Sequence, residues 1–303
     1  MPINTLQTAT LFQNILDKIA IQEMLTGWMD ANAGQVIYHG GREVRIPKMA
    51  TDGLADYDRD NGYVQGGVTL EYQTREMTQD RGRKFQLDAM DIDENNFVTT
   101  ASSVMGEFQR VQVVPEIDAY RLSGVAEIAV GHNKFVESGY TPAETTVLKK
   151  LKEGIKEIRN NGYNGPLVIH ATPDVVFELE MALSNKITYV TVSKGGIDTR
   201  VPAIDEVPII PTPQSRMYTA LSMNDGKTTG QEKGGYTKGA TAKDVNFLIM
   251  ARTTPLAITK QDVMKIFAPA QNQDADAWKM NYRRFHDLWV LDNKKDSIFA
   301  NTK

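Results

Sequence analysis

Pro115 sits inside a segment that otherwise reads as helix, and that conflict constrains the chain more than any other feature. In residues 88–123, DAMDIDENNFVTTASSVMGEFQRVQVVPEIDAYRLS, the side chains of Phe97, Ala101, Val104, Phe108 and Val111 recur at three- and four-residue steps. They therefore share one helix face. Asp91, Asp93 and Glu94 stand at its start, where negative charge meets the positive end of the helix dipole. Glu116, Ile117, Tyr120 and Leu122 continue in helix-forming company beyond the proline. An interior proline costs about 3 kcal/mol. Burying one stripe side chain returns about 1.5–3 kcal/mol, an upper value because the unfolded chain already hides some of that surface. Packing outweighs the proline, and the spacing predicts a long, well-packed helix with a bend at Pro115.

Length adds that 303 residues suggest about two domains. Apolar residues make up 41%, enough for a real core. The longest apolar runs, such as Phe247–Ala251, are far too short to span a bilayer. The first residues, MPINTLQTATLF, lack the basic segment and apolar core of a signal peptide. With no cysteine there is no disulfide, thiolate metal site or cysteine nucleophile, which fits intracellular synthesis. A net charge of −4 gives no global pull toward nucleic acid or anionic membrane.

Along the chain, Leu11, Phe12, Ile15, Leu16, Ile19, Leu25 and Trp28 are spaced as a helix over 9–30, with Asn32 and Gly34 as its stop. This is either an ordinary core helix or an N-terminal arm whose apolar face needs another surface. Residues 42–49 alternate through Val44 and Ile46, and residues 68–76 through Val68, Leu70 and Tyr72. The polar segment TDGLADYDRDNGYVQGG lies between them. Two antiparallel strands joined by a long loop are expected. Such a hairpin is marginal alone and its edges invite another chain. It reads as a projecting arm ordered against a neighbour, although a third strand in the same sheet would also satisfy it.

Residues 141–163 carry a helix signature: Thr141 as cap, Pro142 in the first turn, Glu144 completing a capping box, and Asn161–Gly162 as the end. Pro166–His170 then reads as a buried strand and Pro173–Leu183 as a helix, which places an α/β layer in the middle of the chain. The glycine-rich stretch 222–244 reads as an exposed loop. Strand signals return in VNFLIMA, PLAIT and WKMNYRRFHDLWVLDN. These late strands are expected to pair near the long early helix, making one domain discontinuous.

No motif predicts a catalytic, cofactor-binding or metal-ligating residue. Asp225-Gly226-Lys227-Thr228-Thr229 resembles the end of a phosphate-binding loop, but Leu221 stands where its first glycine belongs and no helix follows. Asp88, Asp91, Asp93, Glu94 and Asn95 suggest calcium until Asn96 and Ser102 replace the required glycine and glutamate, and helix capping explains them. His39, His132, His170 and His286 are scattered, and His170 reads as a hydrogen-bonded core residue. The cluster Asp80-Arg81-Gly82-Arg83-Lys84, like Arg283-Arg284 after Tyr282, reads as a solvated or subunit-bridging charge patch.

Several stretches resemble one family. GLADYDRDNGYVQGGVTLEYQTREMTQDRGRKFQLDAMDIDENN and VMGEFQRVQVVPEIDAYRLS are similar to major capsid proteins of tailed bacteriophages and prophages. So, in the same order, are FLIMARTTPLAITKQDVMKIFAP and DADAWKMNYRRFHDLWVLDNKKDSIF. The resemblance implies an α+β fold of the Hong Kong 97 type. Residues 1–34 would be an N-terminal arm and 35–88 an extended β-hairpin loop. Residues 89–129 and 242–303 would form a discontinuous peripheral domain with a long spine helix, and 130–241 an α/β axial domain.

It further implies a structural protein without substrate or cofactor, assembling through pentamers and hexamers into an icosahedral shell around double-stranded DNA. A portal and a separate scaffolding protein are the expected partners, with DNA contacted non-specifically and no membrane. The expected place is the virion capsid, assembled in the bacterial host cytoplasm. Lys48 lies in the loop where some members form lysine–asparagine crosslinks, but no partner asparagine matches and none is predicted. One alternative keeps the fold as an encapsulin-like nanocompartment holding cargo enzymes. The other is an α/β enzyme with a cleft beside 165–215, for which Asp174, Glu178, Asp198 and Asp205 offer no spacing logic.

Overall fold

The computed structural model describes residues 24–35, 37–38, 42–60, 62–88, 104–132, 136–183, 188–194 and 197–303. Strands β1 (Ile37–Tyr38), β2 (Glu43–Thr51), β3 (Val68–Glu76) and β4 (Gln79–Asp88) come first, followed by a long helix α1 over 104–132. After β5 (Val136–Glu137) come α2 (Glu144–Asn160), β6 (Leu167–Ala171) and α3 (Pro173–Leu183). Then follow β7 (Thr188–Lys194), β8 (Ile197–Ile204), β9 (Val207–Pro211), β10 (Leu221–Met223) and β11 (Tyr236–Lys238). The last strands are β12 (Val245–Ala251), β13 (Pro255–Phe267), β14 (Ala277–Val290) and β15 (Ile298–Thr302).

VNFLIMA is apolar at nearly every position, which suits only a strand covered on both faces. It becomes β12, buried along its whole length, near the middle of a mixed seven-stranded sheet ordered β5-β15-β12-β6-β9-β8-β7. Its alternate side chains enter two different cores. Phe247, Ile249 and Ala251 pack with Leu151, Ile155 and Ile158 of α2 and Val175 and Leu179 of α3. Leu248 and Met250 pack with Leu122, Val125, Ala126 and Ala129 of α1. Helices thus cover both faces of this sheet. A second sheet, β13-β14-β4, packs under the first half of α1 through Met105, Met264, Met280 and Tyr282.

This arrangement departs from the expected division of the chain. β12 and β15 do not join the sheet beside α1's start but pair with β6 and β5 in the larger one, while β4 leaves the hairpin segment to pair with β14. Only β13 and β14 of residues 242–303 lie in the three-stranded sheet. Non-local pairing decided this, and one strand's alternation does not reveal its neighbours. The stretch 222–244 is likewise more than a loop, because its Ser222 and Met223, in β10, pair with Thr237 and Tyr236 of β11.

Helix α1 absorbs Pro115 by a change of helix type. Its α-helical turn at 104–108 passes into a π-helical turn, Gln109–Val113, and then into α-helix Val114–His132. The Val114 N–H donates to the Gln109 carbonyl, five residues back. Widening the turn just before the proline accommodates a residue with no N–H to give. The extra residue also shifts the buried face, which steps from Met105 and Gln109 to Val114 and then Ile117. The expected stripe therefore fails at Val111, which is 44% exposed. Phe97, Ala101 and the acidic start at Asp91, Asp93 and Glu94 lie outside the described residues.

Two other local readings change. The capping box proposed at Thr141 is displaced, because α2 begins at Glu144 with extended Ala143 as its N-cap. Its end is as read, with Asn161 at the C-cap and Gly162 at φ 87°. Of the helix expected over 9–30, residues 24–30 are described, and Gly27–Gln35 is a 3-10 helix. Gly27 disfavours α-helix, and the segment's polar side chains are bound by other elements.

Gly154 lies where α2 crosses the sheet. A Cβ there would sit 2.7 Å from Ile249 Cδ1 and 2.9 Å from Phe299 Cδ1. Gly154→Ala should gain about 1 kcal/mol of helix propensity and lose about 1–3 kcal/mol to overpacking. The expected result is a lower thermal unfolding midpoint, the reverse of glycine-to-alanine replacement in an exposed helix.

Candidate assembly interface

β2 and β3 pair antiparallel from Glu43↔Glu76 to Thr51↔Val68. Directly opposed residues share a face. One face carries Val44, Ile46, Lys48 and Ala50 opposite Arg75, Gln73, Glu71 and Thr69. Its base is anchored, since Val44 and Ile46 are buried with Met77, Leu256, Ile258 and Phe285. Gln73 Nε2 also donates to Asp292 Oδ2 at 2.8 Å. The other face pairs Pro47 with Tyr72, Met49 with Leu70 and Thr51 with Val68. Met49, Leu70 and Tyr72 are 67%, 57% and 53% exposed. Eight of the twelve exposed large apolar side chains among the described residues fall between Met49 and Tyr72. Exposed apolar surface gathered on one projecting element marks an interaction site.

The sequence found both strands, but it left open that Val44 and Ile46 face inward while Val68, Leu70 and Tyr72 face out on the opposite side. A third strand does join, yet β1 covers only Val44 and Arg45 at the base. The tip has structure of its own. Asp52 Oδ2 accepts from Gly67 N at 2.7 Å, Asp58 and Gly62 exchange backbone bonds, and Tyr57 meets Tyr63 edge to face at 4.9 Å. A shaped tip without a core of its own fits a surface that another molecule completes.

The segment 24–30, which precedes the arm, is tied to α1 by charged residues that sequence reasoning missed. Asp118 is fully buried and accepts from Leu25 N (3.0 Å), Thr26 N (3.0 Å), Thr26 Oγ1 (2.6 Å) and Arg216 Nη1 (2.8 Å). Arg121, also fully buried, grips Asp30 with Nη1 and Nη2 at 3.0 and 2.6 Å and donates to the Thr26 carbonyl at 3.1 Å. The strap 24–35 continues across the molecule, where Asn32 Nδ2 donates to the carbonyls of Arg252 and Pro255, each at 2.8 Å. The available signal was a carboxylate and a guanidinium three residues apart amid Ile117, Ala119, Leu122 and Val125.

The charge cluster at 80–84 makes several contacts within the chain, while Arg83, Lys84 and Arg283 stay solvated as read. Arg81 contacts Glu116 at 2.7 and 3.1 Å and the carbonyls of Asn224 and Gly235 at 2.8 and 3.0 Å, joining β4, α1 and the β10–β11 connection. Arg83 donates to the Glu232 carbonyl. Arg283 holds Asp80 bidentately, and that bond lowers the Asp80 pKa. Arg284 pairs with Asp262 at 2.6 Å.

Among the described residues, the sequence motifs do not converge on a chemical centre. Asp225 closes its own turn, accepting from the amides of Lys227 and Thr228 and from Thr228 Oγ1. These bonds, the Thr228 amide first, hold its pKa at about 2. Asp174 pairs with Lys303 and Asp205 with Lys152. Of the three described carboxylates among the four considered for an enzyme, only Asp205 lines the 530 Å³ cavity beside β6 and β9. The Asp198 side chain lies outside the described residues, as does His39. No group of His, Asp and Glu among the described residues could hold a metal ion.

His170 is the buried, hydrogen-bonded core residue expected, taking Trp28 Nε1 at 3.3 Å on one nitrogen and meeting Thr212 Oγ1 at 3.1 Å with the other. His132 meets Asp296 at 2.5 Å. His286 is buried under Tyr120, ring to ring at 5.5 Å. Burial lowers the His286 pKa well below 6.5, and the charges of Arg284, Arg121 and Arg81 lower it further. The unfolded imidazole then binds protons that the folded one refuses, so its contribution to stability is lost as pH falls below 6.5. Unfolding temperature should fall between pH 6.5 and about 5. His286→Gln should flatten that slope.

No protein-family profile and no curated protein sequence matches the chain. Solved structures do. A protein of Gordonia phage Cozz aligns with TM-score 0.60 and 12% identity over 90% of this chain and 85% of the other. The capsid structure of cyanophage P-SCSP1u aligns with TM-score 0.57 and 10% identity over 88% and 84%. A virus-like particle from Pyrococcus furiosus aligns with TM-score 0.53 and 10% identity over 99% and 100%. At these identities it is the fold that is shared. The chain has the mixed α+β fold of phage capsid structures, and no described helix is long and apolar enough to cross a membrane.

Proposed function

We propose that this chain is the major capsid protein of a tailed bacteriophage or prophage, a structural subunit whose copies close an icosahedral shell around double-stranded DNA. The observation that carries the reading is the apolar outer face of the β2–β3 arm. It stays exposed in the single subunit, on a chain with a capsid fold. Burial of such a face against the next copy is weak once and strong when repeated around closed rings and across a lattice.

In this reading the β2–β3 hairpin is the extended loop, and α1 with β4, β13 and β14 is the spine helix and sheet of the peripheral domain. The seven-stranded sheet with α2 and α3 is the axial domain, and residues up to 35 form the N-terminal arm with its strap. Pentamers and hexamers are the building units, in the virion after assembly in the host cytoplasm. A portal and a scaffolding protein are the partners. The net charge of −4 suits a shell that contains DNA without gripping it. The likeness to the virus-like particle, at TM-score 0.53, gives a cargo-storing nanocompartment no advantage over this reading.

Size-exclusion chromatography of the expressed chain, followed by negative-stain microscopy, tests the proposal. Capsomers, tubes or shells are expected, with or without a co-expressed scaffolding protein. A monomer under every salt, pH and concentration in both cases would contradict it.

A further inference from the structure

A cavity of about 310 Å³ lies between β4, β14, α1 and the 224–235 connection. Its floor is unusually cationic. Arg81 and Arg284 stand directly opposite each other across β4 and β14, and Arg83 stands opposite Tyr282 on the same face. Like charges in register repel, so this face needs counter-charge. Glu116 supplies it to Arg81 and Asp262 to Arg284. Arg83 has only the neutral Glu232 carbonyl, and Lys233 on the roof makes no ion pair among the described residues. The carboxylates that line the cavity are engaged already: Asp80 by Arg283, Glu116 by Arg81, and Asp225 by its own turn.

A second observation is independent of charge. Arg284 Nε and His286 Nδ1, which belong to residues lining the cavity but are themselves shut off from solvent, have no hydrogen-bond partner, although these residues are only 8% and 2% exposed. Buried polar atoms are rarely left so. The roof glycines come close to the exposed Arg83 guanidinium. A Cβ at Gly226 or Gly234, both at positive φ, would lie 3.2 or 3.5 Å from Arg83 Nη1. A guanidinium fork and an ammonium at one small space, over a second arginine on the same sheet face, match a tetrahedral oxyanion.

We propose that this cavity binds a phosphate group, held by Arg83 and Lys233 at its mouth with Arg284 and His286 behind. The phosphate is either free or carried by a nucleic-acid backbone, and the inference does not depend on the shell reading. The test is calorimetric titration of the intact full-length protein with inorganic phosphate at constant ionic strength. Saturable binding is expected, weakened at least tenfold by Arg83→Gln with Lys233→Gln and unchanged by Lys265→Gln, which lies away from the cavity. Both cavity substitutions are at or near the surface, and unchanged circular dichroism will verify folding. Phosphate should also shift the His286 ring resonances in the parent protein and not in the double variant.

A short double-stranded oligonucleotide separates the two sources. Displacement of phosphate by the duplex assigns the site to backbone phosphate, and failure to displace assigns it to the free anion. Equal phosphate binding by the parent and the double variant would overturn the proposal. So would a non-saturating response that chloride reproduces, which would indicate an adventitious ion only.

Discussion

Met49→Ser, Leu70→Ser and Tyr72→Ser, made together, are expected to leave a folded subunit that no longer closes shells. The three side chains stand on the outer face of the β2–β3 arm, more than half exposed, so the isolated chain loses little by giving them up. Exposed substitutions of this kind usually move stability by less than about 0.5 kcal/mol. At a contact between copies the same change removes about 1.5–3 kcal/mol of apolar burial per side chain. Every copy repeats that loss, so shell yield should fall by far more than tenfold while the unfolding midpoint holds. Normal shells from the triple variant would remove the arm from the assembly mechanism. Deletion of residues 51–66 should have the same outcome by a cruder route.

Asp118→Ala is expected to cost about 3–5 kcal/mol, the range for breaking a buried ion pair by removing one partner. The fully buried carboxylate accepts four hydrogen bonds, two from strap amides, one from Thr26 Oγ1 and one from Arg216. Alanine is the better helix former, but only by about 0.5 kcal/mol. A cost of 3–5 kcal/mol is a large share of the 5–15 kcal/mol typical of a domain. Asp118→Asn, which keeps an acceptor, should lose less and still fold. The exposed pair Lys149–Glu153, at 3.8 Å on α2, is the control, and Glu153→Ala should change stability by about 0.5 kcal/mol or less. Chemical denaturation of the three variants reads this directly. An Asp118→Ala cost near that of Glu153→Ala would show that the clamp on the strap contributes nothing special.

What the sequence made legible was local. Alternation in 42–49 and 68–76 located both strands of the arm, Pro166–His170 read as a buried strand and VNFLIMA as a further strand, and the structure has β6 and β12 there. His170 was legible because a histidine in a buried strand needs partners, and it has them in Trp28 and Thr212. What stayed hidden depended on pairing or on an exception to helical period. Register alone shows that the arm's two apolar sets lie on opposite faces. β12 and β15 go to the larger sheet because distant strands flank them, and nothing in their own residues says so. The stripe through Val111 failed because reading at fixed period assumed α-helix where Pro115 induces a π-helical turn. Asp118 and Arg121 left a trace, charge inside an apolar helix, but their partners lie more than ninety positions away.

Reconstruction of the assembled particle by electron cryo-microscopy tests the central claim most directly. The account predicts a closed shell of pentamers and hexamers in which each β2–β3 arm reaches a neighbouring copy and buries Met49, Leu70 and Tyr72 against it. A closed shell in which those side chains stay in solvent, or fold back onto their own subunit, would contradict it.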